Sequence, residues 1–193
     1  MSHHTEATAF QIRAARANDA EAIAALARQL LEYEQGLHQG MGSLTGWAAS
    51  AAELRKQLLR PNTHFLVAES DTGLIGYIKL TLHGRQLSRQ ELGTIRWLVD
   101  RLEQAARRTV NVLLRRPRPN VEIVGGYIAG IFVLPSARRS RAGHALITAA
   151  ENWFRTQGVS ACELHVLYTN ETARSFWERE GYAPLTLGMR KEL

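Results

Sequence analysis

A chain of 193 residues with 45% hydrophobic and 22% charged residues is long enough to bury one full core and short for two, so a single domain over 1–193 is expected. No uninterrupted apolar run approaches the roughly 20 residues a membrane span needs, and "MSHHTEATAF" has neither a secretory signal's apolar stretch nor an anchor, so a cytoplasmic protein without a membrane partner is expected. One cysteine, Cys162, excludes an internal disulfide framework and a cysteine-based metal site, and the net charge of +6 implies affinity for something anionic without naming it.

In chain order, "AFQIRAA" alternates into a first strand. "NDAEAIAALARQLLEYEQ" follows as a helix, with Asn18 placed to cap and Glu21 three residues on. Ile23, Leu26, Ala27, Leu30 and Leu31 give it one apolar stripe. After the glycine-rich "GLHQGMGSLTG", Ser50 and Glu53 predict a second helix through Leu54, Leu58 and Leu59 to Pro61. "HFLVAESDTGLIGYIKLTL" is two β-rich runs around an Asp-Thr-Gly turn, the form of an antiparallel hairpin.

The segment from Leu87 to Arg116 interrupts this alternation. Ser88 with Glu91 can cap a helix there, and Leu92, Ile95, Val99, Leu102, Ala106 and Leu113 fall at nearly heptad spacing. From Arg85 to Arg118 the chain carries nine arginines against three acidic residues, enough to account for the whole excess charge. The inserted helix could be a dimer or lid surface, an anion-binding surface, or a layer on the protein's own sheet. Packing, including a homodimer, is the expected use. Arginines spread around a helix without interleaved aromatics read as a solvated face, so nucleic acid is not the expected partner.

"VEIVGGYIAGIFV" is a buried strand broken by Gly125, Gly126 and Gly130, where a bulge or a close approach is expected. A basic turn, "PSARRSRAG", leads from it into a helix carrying Leu146, Ile147, Ala150, Trp153 and Phe154, capped at its end by Gly158. "ACELHVLY" reads as a strand, "NETARSFWERE" as a short helix closed by Gly181, and "YAPLTLGMRKEL" as a final strand or pair. Hairpins together with a βαβ crossover give an α/β mixed sheet covered by helices.

The strand-to-helix turn is where chemistry concentrates. The first N–H groups of a helix have no internal acceptor, so they offer preorganised donors to an anion, and the three arginines of the turn add field. The alternative is a solvated basic loop. No two histidines have metal-ligand spacing, and His144 and His165 read as structural or exposed, so no metal is expected.

The order of elements, with "IRAARANDAEAI", "HFLVAESDTGLIGYI", the basic turn and "TNETARSFWEREGY", resembles the GNAT superfamily of acetyl-CoA-dependent N-acetyltransferases over nearly the whole chain except the Leu87 to Arg116 segment. The resemblance implies a mostly antiparallel sheet with splayed central strands and an insert (87–116) between the third and fourth strands. The family's pyrophosphate loop, a proline followed by RxxGxG or RxxGxA and a leucine, is matched by Pro135, Arg138, Gly143 and Leu146. Arg141 stands where the first glycine belongs. Asn170, Ala173, Phe176, Trp177, Gly181 and Tyr182 fall in register with the second cofactor motif.

What the resemblance implies is a cosubstrate site made by Ile131 and Val133 along the strand, Arg138, Arg139, Ser140, Arg141, Ala142, Gly143 and His144 in the turn, and Asn170 beyond. Acetyl-CoA is the implied acyl donor and a primary amine of a small molecule or peptide the acceptor, by direct transfer. At the Trp177 position many members carry a tyrosine that protonates the leaving thiolate, and tryptophan lacks that proton. Tyr127, nearest by register on the strand, and Tyr168, before Asn170, are the catalytic candidates, with Glu122 further upstream and a water chain to solvent as other proton routes. Two other readings stay open: a catalytically weak CoA or acyl-CoA binding protein, motivated by Trp177, Arg141 and the lack of a carboxylate at the centre of the strand, and a basic-helix module acting on nucleic acid.

Overall fold

A computed structural model describes residues 9–37, 50–86, 121–189 and 191. The expected helix over 87–116 and most of "GLHQGMGSLTG" lie outside these residues. Five strands form one sheet in the order β1 (Phe10–Ala14), β2 (Thr63–Ser70), β3 (Gly73–Gln86), β4 (Val121–Val133), β5 (Cys162–Leu164). All neighbours are antiparallel except β4 and β5, which run parallel. Helices α1 (Ala20–Leu37), α2 (Ala51–Leu58), α3 (Ala142–Thr156) and α4 (Glu171–Arg179) cover it. The expected mixed, mostly antiparallel sheet is what the chain forms.

Two apolar layers follow from the period of two along the strands. Leu66 and Ala68 of β2 with Ile78, Leu80 and Leu82 of β3 join Leu146, Ile147, Ala150 and Phe154 of α3 on one face. Phe65, Val67, Tyr77 and Phe132 join Ile23 and Leu26 of α1 and Leu54 and Leu58 of α2 on the other. Gly126 makes the first layer possible. A Cβ there would sit 2.6 Å from the Phe154 ring, so the glycine is a close approach by a helix side chain.

Several local details differ from the sequence expectation. The first helix is entered through a 3-10 turn, Ala17–Asp19, and Asp19 rather than Asn18 supplies the cap, taking the Arg16 N–H at 2.6 Å. Asp19 is already anchored by Arg13, whose guanidinium also holds Glu69, and those bonds keep the Asp19 carboxyl below its ordinary range. Ser50 caps α2 as expected, accepting the Glu53 N–H at 3.3 Å, but Leu59 lies past the helix end and is exposed.

"ACELHVLY" contributes only Cys162–Leu164 to the sheet. The final strand expected from "YAPLTLGMRKEL" does not form among the described residues, where Leu185, Leu187 and Met189 are exposed. Alternation there imitates a strand, but a strand is defined by a partner, and these residues pair with none of the described ones.

Candidate active site

β4 and β5 are paired only at Gly126–Cys162, Tyr127–Glu163 and Ile128–Leu164. β4 then runs on to Val133 beside β3 alone, with a bulge between the Lys79–Gly130 and Leu80–Ile128 pairs that leaves Ala129 as the extra residue. Among the described residues, no strand pairs with the edge of β4 that β5 abandons. The Leu134 N–H donates to the Ile75 carbonyl on the β3 side at 2.9 Å. Alternation along an antiparallel strand then turns the N–H and C=O of Ile131 and Val133 to the opposite edge.

The opening ends at the turn into α3. Pro135–Ala137 forms a 3-10 turn, and the Ser140 hydroxyl donates to the Ala137 carbonyl at 2.7 Å, which closes the loop. The first backbone bond of α3 runs from the Ala145 N–H to the Arg141 carbonyl at 2.9 Å. The N–H groups of Ala142, Gly143 and His144 precede it and have no helical acceptor. Arg139 and Arg141 adopt left-handed backbone, φ 67° and 68°, a region that costs a non-glycine residue about 1 kcal/mol. Arg141 thus takes the conformation a glycine would have there, and its side chain is exposed.

Gly143 fits α3 against α4, because a Cβ there would meet the Phe176 ring at 3.1 Å. The His144 ring bonds to the Glu180 carboxylate through Nδ1 at 2.8 Å, so its side chain serves the α3–α4 contact.

Arg138 points elsewhere. Its Nε approaches the Val133 carbonyl at 3.4 Å, and its guanidinium lies 5.8 Å from the Tyr33 ring and 6.0 Å from that of Phe132. The Tyr33 hydroxyl in turn reaches Asn170 Oδ1 at 3.5 Å, and that oxygen accepts the Ala173 N–H at 3.0 Å as the cap of α4. Val133, Arg138 and Asn170 are thereby brought together around Tyr33, a residue of α1 that spacing alone could not place. Its only sequence signal is an aromatic on the helix flank beside the Leu30 and Leu31 stripe.

Tyr127 and Tyr168 stand apart from one another in their surroundings. Tyr127 sits at the throat, in the middle of the β4–β5 pairing, between the rings of His83 at 5.4 Å and His165 at 5.5 Å. Burial raises its hydroxyl pKa, opposed by a main-chain hydrogen bond from His165. Tyr168 is 68% exposed, its ring covered by the Arg174 guanidinium at 4.6 Å. Trp177 is buried and packs edge-on to Tyr182 with centroids 5.0 Å apart. No group of three or more His, Cys, Asp or Glu side chains converges among the described residues, and no described helix is long and apolar enough to cross a membrane.

The model of the acetyltransferase (GNAT) family matches residues 29–182. The chain belongs to the GNAT acetyltransferase family. Among solved structures, the GNAT fold of this chain is similar to the BH1408 protein from Bacillus halodurans, at 17% identity and TM-score 0.70 over 95% of this chain and 99% of that one. It is also similar to the aminoglycoside N-acetyltransferase AAC(6')-Iy in complex with CoA, at 16% identity and TM-score 0.58 over 95% and 100% of the two chains. A third likeness, at 15% identity and TM-score 0.59 over 96% and 99%, is to the aminoglycoside 6'-N-acetyltransferase AAC(6')-Ih from Acinetobacter baumannii. No curated protein matches the sequence. The family makes the chain an acyltransferase.

Proposed function

We propose that this GNAT protein moves an acetyl group from acetyl-CoA to a primary amine of a small molecule or peptide by direct transfer. The observation that carries the proposal is the edge of β4 beyond β5, which presents the main-chain groups of Ile131 and the N–H of Val133 and leads to the N–H groups at the start of α3 that have no helical acceptor. A pantetheine arm carries amides of matching spacing for such an edge, and a pyrophosphate is the anion suited to the donors of Ala142, Gly143 and His144. Arg139, Ser140 and Arg141 shape the turn between them, and Arg138 at the mouth supplies a cation for the cosubstrate's phosphates. Asn170 holds α4 against the other lip.

The CoA complex and the aminoglycoside enzymes among the structural likenesses support acetyl-CoA as donor and a small-molecule amine as acceptor. Tyr127 at the throat and Tyr168 at the mouth are proposed for proton traffic through water. The cytoplasmic setting and a homodimer through the segment 87–116 rest on the sequence alone.

A second reading has one observation in its favour. Trp177 is buried where a thiolate-protonating tyrosine is common in the family, which suits a protein that binds CoA and transfers little. Free-thiol release measured with acetyl-CoA and a panel of aminoglycosides, small alkylamines and lysine peptides separates the two. The transferase reading expects release that depends on the amine and saturates in acetyl-CoA. Tight CoA binding with no amine-dependent release would replace it by the second.

A further inference from the structure

No carboxylate lies at the centre of β4, but α1, which packs against that strand through Leu30, carries Glu34 one turn further on. Leu30 and Glu34 are one helical turn apart and share a face. Leu30 Cδ2 lies 3.7 Å from the point a Cβ would occupy on Gly130, and the Tyr77 hydroxyl lies 3.7 Å from the same point. Gly130 adjoins the bulge, where β4 has just parted from β5. Glu34 is half-buried, and its charge acts on the Tyr77 hydroxyl.

Neither group is engaged by its surroundings. Among the described residues Glu34 has no hydrogen bond or ion pair, and Tyr77, only 5% exposed, has no hydrogen-bond partner. The titratable or charged groups around them are Tyr33 beside Glu34 on α1, Arg138 above Tyr33, and Lys79 and Tyr127 on the same sheet face. Burial alone raises the Glu34 carboxyl above its ordinary range, and burial with the Glu34 charge raises the Tyr77 hydroxyl. A carboxylate left half-buried without a cation is costly to keep unless something cationic comes to it.

We propose that Glu34 is the carboxylate that receives the acceptor ammonium and takes its proton, with the Tyr77 hydroxyl beside it facing the acyl group. The assignment rests on the acetyltransferase reading. One proton passes from the ammonium nitrogen to Glu34 and on to solvent. The freed lone pair forms the C–N bond to the acyl carbon, the C–S bond breaks, and a second proton from that nitrogen ends on the CoA sulfur. Glu34 returns to its charged form, and acetyl-CoA plus ammonium has become amide, CoA thiol and one released proton.

The same removal of a half-buried unpaired charge gives opposite signs for activity and stability, which a merely structural glutamate does not. Glu34→Gln is expected to lower kcat/KM for the acceptor amine about 100-fold at pH 7. It should leave the acetyl-CoA KM unchanged, abolish the acidic limb of the pH profile, and leave Tm equal or higher. Glu34→Asp should restore part of the rate. The measurement is thiol release across pH 5–9 with acetyl-CoA and sisomicin, and with a lysine peptide in parallel, on wild type and both variants, alongside a CoA titration of each. A Glu34→Gln enzyme that folds, binds CoA and keeps wild-type turnover and its acidic limb overturns the role of Glu34 alone. A wild type that binds CoA and releases no thiol with any amine overturns the transferase reading, and this assignment with it.

Discussion

Arg141 carries the departure from the family's loop. A glycine at that position adopts left-handed backbone freely, whereas a β-carbon there crowds the neighbouring carbonyl. The chain adopts φ 68° regardless and leaves the guanidinium exposed, so the loop keeps its shape at a local cost. Arg141→Gly should therefore stabilise the protein by roughly 0.5 kcal/mol, the relieved strain less the entropy a glycine adds to the unfolded chain. Chemical denaturation checks this, and a loss of stability would mean that the arginine holds the turn through its side chain. The sequence marked Arg141 as the departure but could not give the sign of its φ, because that angle is imposed by closure of the turn between Ala137 and α3. Tyr33 was illegible for a related reason: on α1 it is an amphipathic flank position, and only the packing of α1 brings it to Arg138 and Asn170.

Between elements, the contact that sets the site's floor is α3 against β4. Phe154 packs where Gly126 has no side chain, and this contact lies at the register where β5 is still attached. Gly126→Ala should cost about 2 kcal/mol through overpacking. Pairing it with Phe154→Leu should return part of that loss, and thermal unfolding of the single and double variants reads both. Equal destabilisation with and without the second change would show that Gly126 is needed for its backbone rather than for space.

Element identities were legible wherever the apolar period and a terminating residue agreed. The β2–β3 hairpin and the α3 stripe ending at Gly158 are examples. They failed where pairing had to be supplied from elsewhere. "ACELHVLY" forms only the three residues that β4 can reach before the strands part, and Leu185, Leu187 and Met189 alternate without a partner among the described residues. The shortness of β5 is what leaves the edge of β4 without a strand partner among the described residues, so the same misjudged strand shapes the candidate site.

For the molecule as a whole, the excess charge lies largely in the segment from Arg85 to Arg118, of which 87–118 lie outside the described residues. The candidate site instead carries three arginines at one turn. Its logic is a rigid sheet presenting main-chain groups along one edge, a helix start presenting N–H groups at the end of that edge, and α1 closing the other side. Acetyl-CoA is proposed to lie along β4 with its phosphates at the turn. Calorimetric titration of CoA into wild type and Arg138→Ala tests it most directly. Binding by the wild type with about tenfold weaker affinity in the variant is predicted, as expected for the loss of a charge-assisted contact. Equal affinity in the two proteins, or no binding by the wild type, would contradict it.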